Sequence, residues 1–117
     1  MGNRFSYDLC IFDMNFNFVG IDKLTNIVSD LKTSFSDIKY FLDECGTATE
    51  FVSWDDHLEN LIIFSKKYPN LIFELKCDDE YCDSWKEYVV NGKFQICNSE
   101  RVYDQFDVEK LKGTDLT

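Results

Sequence analysis

Residues 71–98 read LIFELKCDDEYCDSWKEYVVNGKFQICN, and this stretch decides the fold. Its first part alternates apolar and polar side chains, which is typical of a half-buried strand, here over residues 70–77. Two further alternating runs, residues 85–90 and 93–98, flank the dipeptide Asn91-Gly92. Asn and Gly accept the positive φ angles that a two-residue type I′ turn requires, so this part of the chain predicts a β-hairpin.

The segment before this stretch is typical of an amphipathic helix that ends at Pro69. Ser53 and Asp56 have the spacing of a capping box, and two lysines, Lys66 and Lys67, fall in the expected last turn, where cations suit the helix dipole. The side chains expected on one side of this helix are Leu58, Leu61, Ile62 and Ser65.

The first half of the chain predicts a strand, a helix and a pair of strands. Residues 4–13 alternate as a strand, and residues 22–32 carry apolar side chains at helical spacing. Residues 37–44 and 48–54 predict two strands joined by a turn. The first of these runs also fits a helical period, through Ile38, Phe41, Leu42 and Cys45.

Together these elements predict a single α+β domain over residues 1–117. Strands and helices mix without strict alternation, which favours an antiparallel sheet with two amphipathic helices packed on one face. A ferredoxin-like arrangement satisfies this order. A short C-terminal helix is expected to start at Asp107 and to end near Gly113.

The charge of the chain excludes several classes of function. It has 12 Lys and Arg against 22 Asp and Glu, which gives a net charge of −10 and a pI near 4.4. Such a protein repels phosphate backbones and anionic lipid, so we expect no direct binding to nucleic acid or to membranes. No signal-peptide core or spanning segment is seen in the sequence, which predicts a location in the cytoplasm of the cell that makes the protein.

The run FSKKYPNLIFEL at residues 64–75, with WKEY at residues 85–88 and NGK at residues 91–93, resembles a group of small ferredoxin-like proteins. Phages, plasmids and integrated elements of low-GC bacteria encode them. The resemblance covers about residues 51–97 and implies an architecture and a mobile-element origin, without a common activity. It also implies that the expected cytoplasmic location is in a bacterial host cell. The acidic loop at residues 78–83 lacks the glycine that is usual in these proteins.

The sequence predicts a non-enzymatic, acidic interaction protein. Motifs of hydrolases, metalloproteases and nucleotide-binding enzymes are absent from it. Carboxylates and exposed aromatic rings suit a basic protein partner, and a homodimer stays open. A core of this size cannot hold all 19 aromatic rings, so some of six are expected to be exposed: Phe12, Phe16, Phe18, Tyr81, Tyr103 and Phe106. With the resemblance, the sharpest form of this hypothesis is an anti-CRISPR inhibitor that blocks the nucleic-acid groove of a CRISPR effector. The predicted partner-binding residues are Asp55, Asp56, Glu59, Asp78, Asp79, Glu80, Tyr81 and Asp83.

Two other functions stay open at this point. The acidic loop at residues 78–83 could hold a hard cation in a small metal-dependent enzyme, and the chain could be a structural or assembly subunit. Cys77 and Cys82 could form part of a Zn²⁺ site with His57. The sequence alone favours no metal and no cofactor, and it predicts that His57, the one histidine, is exposed on the surface.

Overall fold

The computed structural model describes residues 5–35, 38, 40–48, 54, 56–79, 84–98 and 111. The four strands of this part form one antiparallel sheet in the order β1-β2-β3-β4. The predicted α+β class is confirmed. In chain order, the elements are β1 (Phe5–Asp13), α1 (Ile21–Ser34), α2 (His57–Ser65), β2 (Leu71–Asp79), β3 (Ser84–Val90) and β4 (Lys93–Asn98).

The ferredoxin-like arrangement is not confirmed. Both described helices lie in the connection between β1 and β2, and strands that are neighbours in the sheet are also neighbours along the chain. A split β-α-β unit instead inserts a strand between the two strands that flank a helix. Among the described residues, none of the helices is long and apolar enough to cross a membrane.

The predicted strand at residues 37–44 does not form as a strand among its described residues, where Leu42 makes one isolated antiparallel bridge, to Ala48. The amides of Phe41 and Leu42 donate to the carbonyl of Ile38, which makes a single tight turn. Ile38 and Leu42 are buried, whereas Tyr40 is 80% exposed. A strand would put these three side chains on one face, so the helical spacing of Ile38 and Leu42 was the better indication. Most of the predicted strand at residues 48–54 lies outside the described residues.

One face of the sheet carries both helices and the main core. Apolar side chains of β1 and β2 contact Ile27, Val28 and Leu31 of α1 and Leu61, Ile62 and Phe64 of α2. The predicted packing of two amphipathic helices on one face is therefore confirmed.

The opposite face holds a smaller cluster. Its buried members are Phe12, Ile72, Tyr88, Val90 and Cys97, and Leu111 packs against them. Leu111 is not part of a helix, and the rest of the predicted C-terminal helix lies outside the described residues.

The hairpin and α2 hold each other in place. Asn91 and Gly92 have φ angles of 45° and 80°, so the predicted turn is confirmed. The amide of Gly92 donates to the hydroxyl of Ser65, which is buried at the end of α2, over 2.8 Å. The helix begins at His57, after the N-cap Asp56, whose side chain makes no capping hydrogen bond. Ser53, the other half of the predicted capping box, is outside the described residues.

β1 is an edge strand, and residues 46–48 and Val19 form hydrogen bonds along its outer edge. The amide of Leu9 donates to the carbonyl of Gly46, and the amide of Ala48 donates to the carbonyl of Tyr7. Nearer the other end of the strand, the amide of Val19 donates to the carbonyl of Ile11. Because these bonds occupy the edge, β1 is not available as a template for another strand along these residues.

Gly46 is expected to be essential for this edge. Its φ is +88°, and an added Cβ would lie 3.0 Å from Cβ of Leu9 and 3.3 Å from the Leu9 carbonyl oxygen. We expect Gly46→Ala to lower the free energy of unfolding by about 2 kcal/mol, measured by urea denaturation. Gly20→Ala is the control, because that position is open and has φ −62°, and its stability should change by less than about 0.5 kcal/mol. Equal losses for the two variants would contradict this description of the edge.

Candidate functional site

Four of the predicted partner-binding residues belong to the described part of the chain, and we call them the acidic end: Asp56, Glu59, Asp78 and Asp79. Asp56 and Glu59 are exposed at the start of α2, and Asp78 and Asp79 are half-buried at the end of β2. His57 follows Asp56, and its ring lies within 4.8 Å of the thiol of Cys77, which precedes Asp78. The alternation of β2 puts Asp79 on the helix-covered face with Cys77, and Asp78 on the opposite face. The other predicted residues, Asp55, Glu80, Tyr81 and Asp83, lie outside the described residues.

The carboxylates of Asp56 and Glu59 are not neutralised within the described part of the chain. Ion pairs there join Lys67 to Asp30 over 2.9 Å and Lys76 to Asp78 over 4.0 Å. Neither pair involves the two exposed acids of α2. The acidic end therefore presents at least two carboxylates to solvent without a lysine or arginine of this part of the chain beside them.

His57 lies at the joint between α2 and the sheet, and the prediction that it is a surface residue is wrong. Its side chain is only 14% exposed, and Nε2 lies 2.8 Å from Oε2 of Glu87 in β3. Nδ1 lies 2.7 Å from the carbonyl oxygen of Trp54. The first turn of α2 rests on the helix-facing side of the sheet, which is why this ring is enclosed.

The partners of the ring fix where its protons are. The carbonyl of Trp54 can only accept, so Nδ1 must carry a proton and donate it. The indole Nε1 of Trp85 donates to Oε2 of Glu87 over 2.7 Å. The contact between Nε2 and Oε2 then contains one further proton, held by the imidazole or by the carboxyl group. In both cases His57 and Glu87 together are neutral, which suits a buried site.

Two polar atoms beside this contact have no hydrogen-bond partner among the described residues. They are Oε1 of Glu87 and Nε1 of Trp54, and both are buried. The Glu87 side chain is only 3% exposed, so its second oxygen has lost water without gaining a protein donor there. Such atoms are rare in folded proteins and call for a physical reason.

Cys77 completes the cluster. Its sulfur, a ring nitrogen of His57 and a carboxylate oxygen of Glu87 all lie within 4.8 Å of one another. The thiol is fully buried, as its place in the alternation predicted. Burial, and next the charge of Glu87, raise the pKa of the Cys77 thiol. The metal-free thiol therefore stays protonated, which makes it unsuited to act as a nucleophile.

Sequence reasoning brought together His57 and Cys77 but missed Glu87. In place of Glu87 it considered Cys82, which lies outside the described residues. The alternation of β3 puts Glu87 on the same face as Trp85 and Val89, which is the face that the helices cover. A charged residue at an inward position of a strand was the signal that could have identified it.

Exposed apolar side chains gather at the loop after β1, at the other end of that strand. Met14, Phe16 and Phe18 are 45%, 43% and 72% exposed. Phe12, another of the six rings of which some were expected to be exposed, is buried, and its ring centroid lies 4.6 Å from those of Phe16 and Phe18. The other three rings of that set, Tyr81, Tyr103 and Phe106, lie outside the described residues.

An open cleft of about 660 Å³ lies beside α1. It has a mixed polar lining without a cluster of titratable groups, and none of the four residues of the acidic end lines it. Its walls are formed by Thr25, Asn26, Val28, Ser29, Lys32, Thr33 and Glu44.

Comparison with family models found no match, and neither did searches of curated proteins and of solved structures. The likeness of residues 51–97 to phage-encoded proteins thus stays a prediction.

Removal of the His57 side chain should strongly destabilise the fold. We expect His57→Ala to lower the free energy of unfolding by about 3 kcal/mol, because it leaves a buried carboxyl group without its partner. The matched control is Lys67→Ala, which breaks the exposed pair with Asp30 and should cost less than about 1 kcal/mol. Urea denaturation measures both. Losses of the same small size would mean that the contact between His57 and Glu87 contributes no more than a surface pair.

Proposed function

We propose that the protein is a non-enzymatic interaction protein whose acidic end binds a basic surface on another protein. The observation that carries this proposal is the exposure of Asp56 and Glu59, which have no ion-pair partner in the described part of the chain. The net charge of −10 supports it, because a strong negative field accelerates encounters with a basic partner and orients them.

An exposed tyrosine strengthens the proposed surface. Tyr40 is 80% exposed, and the ring of its neighbour Phe41 lies 5.8 Å from the ring of Trp54. The Trp54 ring is in turn 6.1 Å from that of His57, at the start of α2. Tyrosine is enriched among the residues that contribute most to protein interfaces. An exposed tyrosine can add apolar contact area to a protein that otherwise binds its partner through charge.

The sharpest version of this proposal is an inhibitor that occupies the nucleic-acid groove of a host defence protein. RNA-guided effectors hold their nucleic acid in a positively charged channel, to which a row of carboxylates is complementary. The resemblance of residues 51–97 to mobile-element proteins supports this choice of target. In this reading the protein competes with nucleic acid and makes no covalent change in its partner.

Charge reversal at the acidic end should abolish partner binding. We expect Asp56→Lys with Glu59→Lys to lose the proteins that the wild type captures from a bacterial lysate, identified by mass spectrometry. The control, Asp22→Lys with Glu44→Lys, changes the net charge equally at positions beside α1 and should retain them. Capture should also weaken between ~50 and ~500 mM salt, because salt screens exposed charges.

The captured proteins should include one that binds nucleic acid through a basic groove. If both double variants capture the same proteins as the wild type, and high salt changes nothing, the acidic end does not bind the partner.

A second candidate function, assembly with another copy of the chain, is favoured by the loop after β1. Met14, Phe16, Phe18 and Ile21 all expose large apolar side chains within eight residues. On this account the wild type sediments as a dimer, and Phe18→Asp sediments as a monomer, because a carboxylate cannot be buried between two apolar loops. Tyr40→Asp is the control and should stay dimeric. A wild type that is monomeric at every concentration in sedimentation velocity would exclude this candidate.

A further inference from the structure

We propose that His57, Cys77 and Glu87 bind a single Zn²⁺ ion at the joint between α2 and the sheet. The three side chains come from α2, β2 and β3, and they meet on the face that the helices cover. This inference goes beyond the proposed partner binding and does not depend on it.

The donor atoms fit zinc better than a hard cation. Imidazole nitrogen, thiolate sulfur and carboxylate oxygen are the three ligand types of protein zinc sites, whereas Mg²⁺ and Ca²⁺ select oxygen alone. The three atoms lie within 4.8 Å of one another. A tetrahedral zinc ion holds its ligand atoms roughly 3.3 to 3.6 Å apart, so the widest pair has to close by at most about 1.5 Å. Small side-chain rotations are sufficient for this.

The hydrogen bonds around the cluster already orient its ligands. Nδ1 of His57 donates to the carbonyl of Trp54, which leaves Nε2 to face the other two groups. Zinc-bound histidines commonly donate their second ring N–H to such a carbonyl, which fixes the tautomer and the ring plane. The indole of Trp85 orients the carboxylate of Glu87 in the same way.

The charges of the cluster balance those of the ion. A thiolate at Cys77 and a carboxylate at Glu87 together neutralise Zn²⁺, and His57 binds as a neutral ring. Binding then releases two protons, one from the thiol and one from the contact between Nε2 and Oε2. No net charge is left in a buried place.

The buried oxygen Oε1 of Glu87 is the second, independent observation. It has no hydrogen-bond partner among the described residues, and the side chain that bears it is 97% buried, since only 3% is exposed. A bound metal ion would coordinate this oxygen, for which the described protein groups provide no hydrogen-bond donor. With both oxygens on the ion, three side chains supply four ligand atoms, which is the usual number at a structural zinc site.

The test uses chelator-treated protein titrated with Co²⁺ and then with Zn²⁺. Co²⁺ is a coloured substitute for zinc, and a thiolate ligand adds a sulfur-to-cobalt charge-transfer band. We expect one ion per chain, the charge-transfer band, and loss of the colour on addition of Zn²⁺.

Two buried cysteines provide a matched pair of variants. Cys77 and Cys97 are both fully buried, but Cys97 belongs to the cluster on the opposite face of the sheet. Cys77→Ala should abolish the charge-transfer band and weaken Zn²⁺ binding by about 100-fold or more, whereas Cys97→Ala should keep both.

If Cys77→Ala does not fold, Glu87→Gln tests the same site. It keeps the size of the side chain and removes the negative charge, so Zn²⁺ should bind at least about 10-fold more weakly to protein with an unchanged circular dichroism spectrum. The proposal is overturned if the wild type binds Co²⁺ and Zn²⁺ no more tightly than folded Glu87→Gln, or if Cys97→Ala loses the charge-transfer band.

Discussion

The burial of one carboxyl group, that of Glu87, constrains the arrangement of the whole site. A carboxyl group on the helix-covered face of a sheet is costly unless other groups satisfy it. The structure supplies His57 from α2 and Trp85 from the same strand, both on Oε2. At its other end α2 is fixed through Ser65 to the turn of the β3–β4 hairpin. Two polar contacts, one at each end, therefore set the position of α2 on the sheet beneath it.

In the same arrangement, the ionisable groups inside the protein are neutral as a pair, whereas the exposed carboxylates of α2 remain charged. Inside, His57 and Glu87 form a neutral unit that contains one shared proton. Outside, their sequence neighbours Asp56 and Glu59 remain in solvent and unpaired within the described part of the chain. His57 attaches the first turn of α2 to the sheet, while Asp56 before it and Glu59 after it stay exposed to water. The proposed binding residues of α2 and the buried cluster therefore meet at the same helical turn.

Much of the fold could be predicted from local patterns. The alternation in β1 to β4 and the Asn91-Gly92 turn predicted the strands and the hairpin, because side-chain period and φ preference are local properties. The segment around Ile38 was mistaken for a strand because its apolar residues fit both periods. The order of the strands in the sheet could not be predicted, because it depends on which distant segments of the chain pair with each other. The two strands predicted between α1 and α2 favoured the ferredoxin-like arrangement; the described part of the first forms no named strand, and most of the second lies outside the described residues.

The candidate site was only half visible in the sequence. His57 and Cys77 were recognisable as metal-binding residue types, but their proximity depends on how α2 lies on β2. Glu87 was hidden because a charged residue in a strand is normally assigned to the solvent face. Its position between Trp85 and Val89 on the inward face was the informative clue. Asp56 and Glu59 were identified correctly as exposed acids, because the helical pattern alone places them opposite the core.

Nitrogen NMR of the His57 ring tests the central claim most directly, because the chain contains one histidine and the signals are unambiguous. The account predicts a slowly exchanging proton on Nδ1 in metal-free protein. After addition of Zn²⁺ that proton remains, while the Nε2 signal moves to the position of a metal-bound nitrogen. An imidazole that averages freely between its two tautomers, and whose signals Zn²⁺ leaves in place, would contradict the enclosed His57–Glu87 contact and the zinc site together.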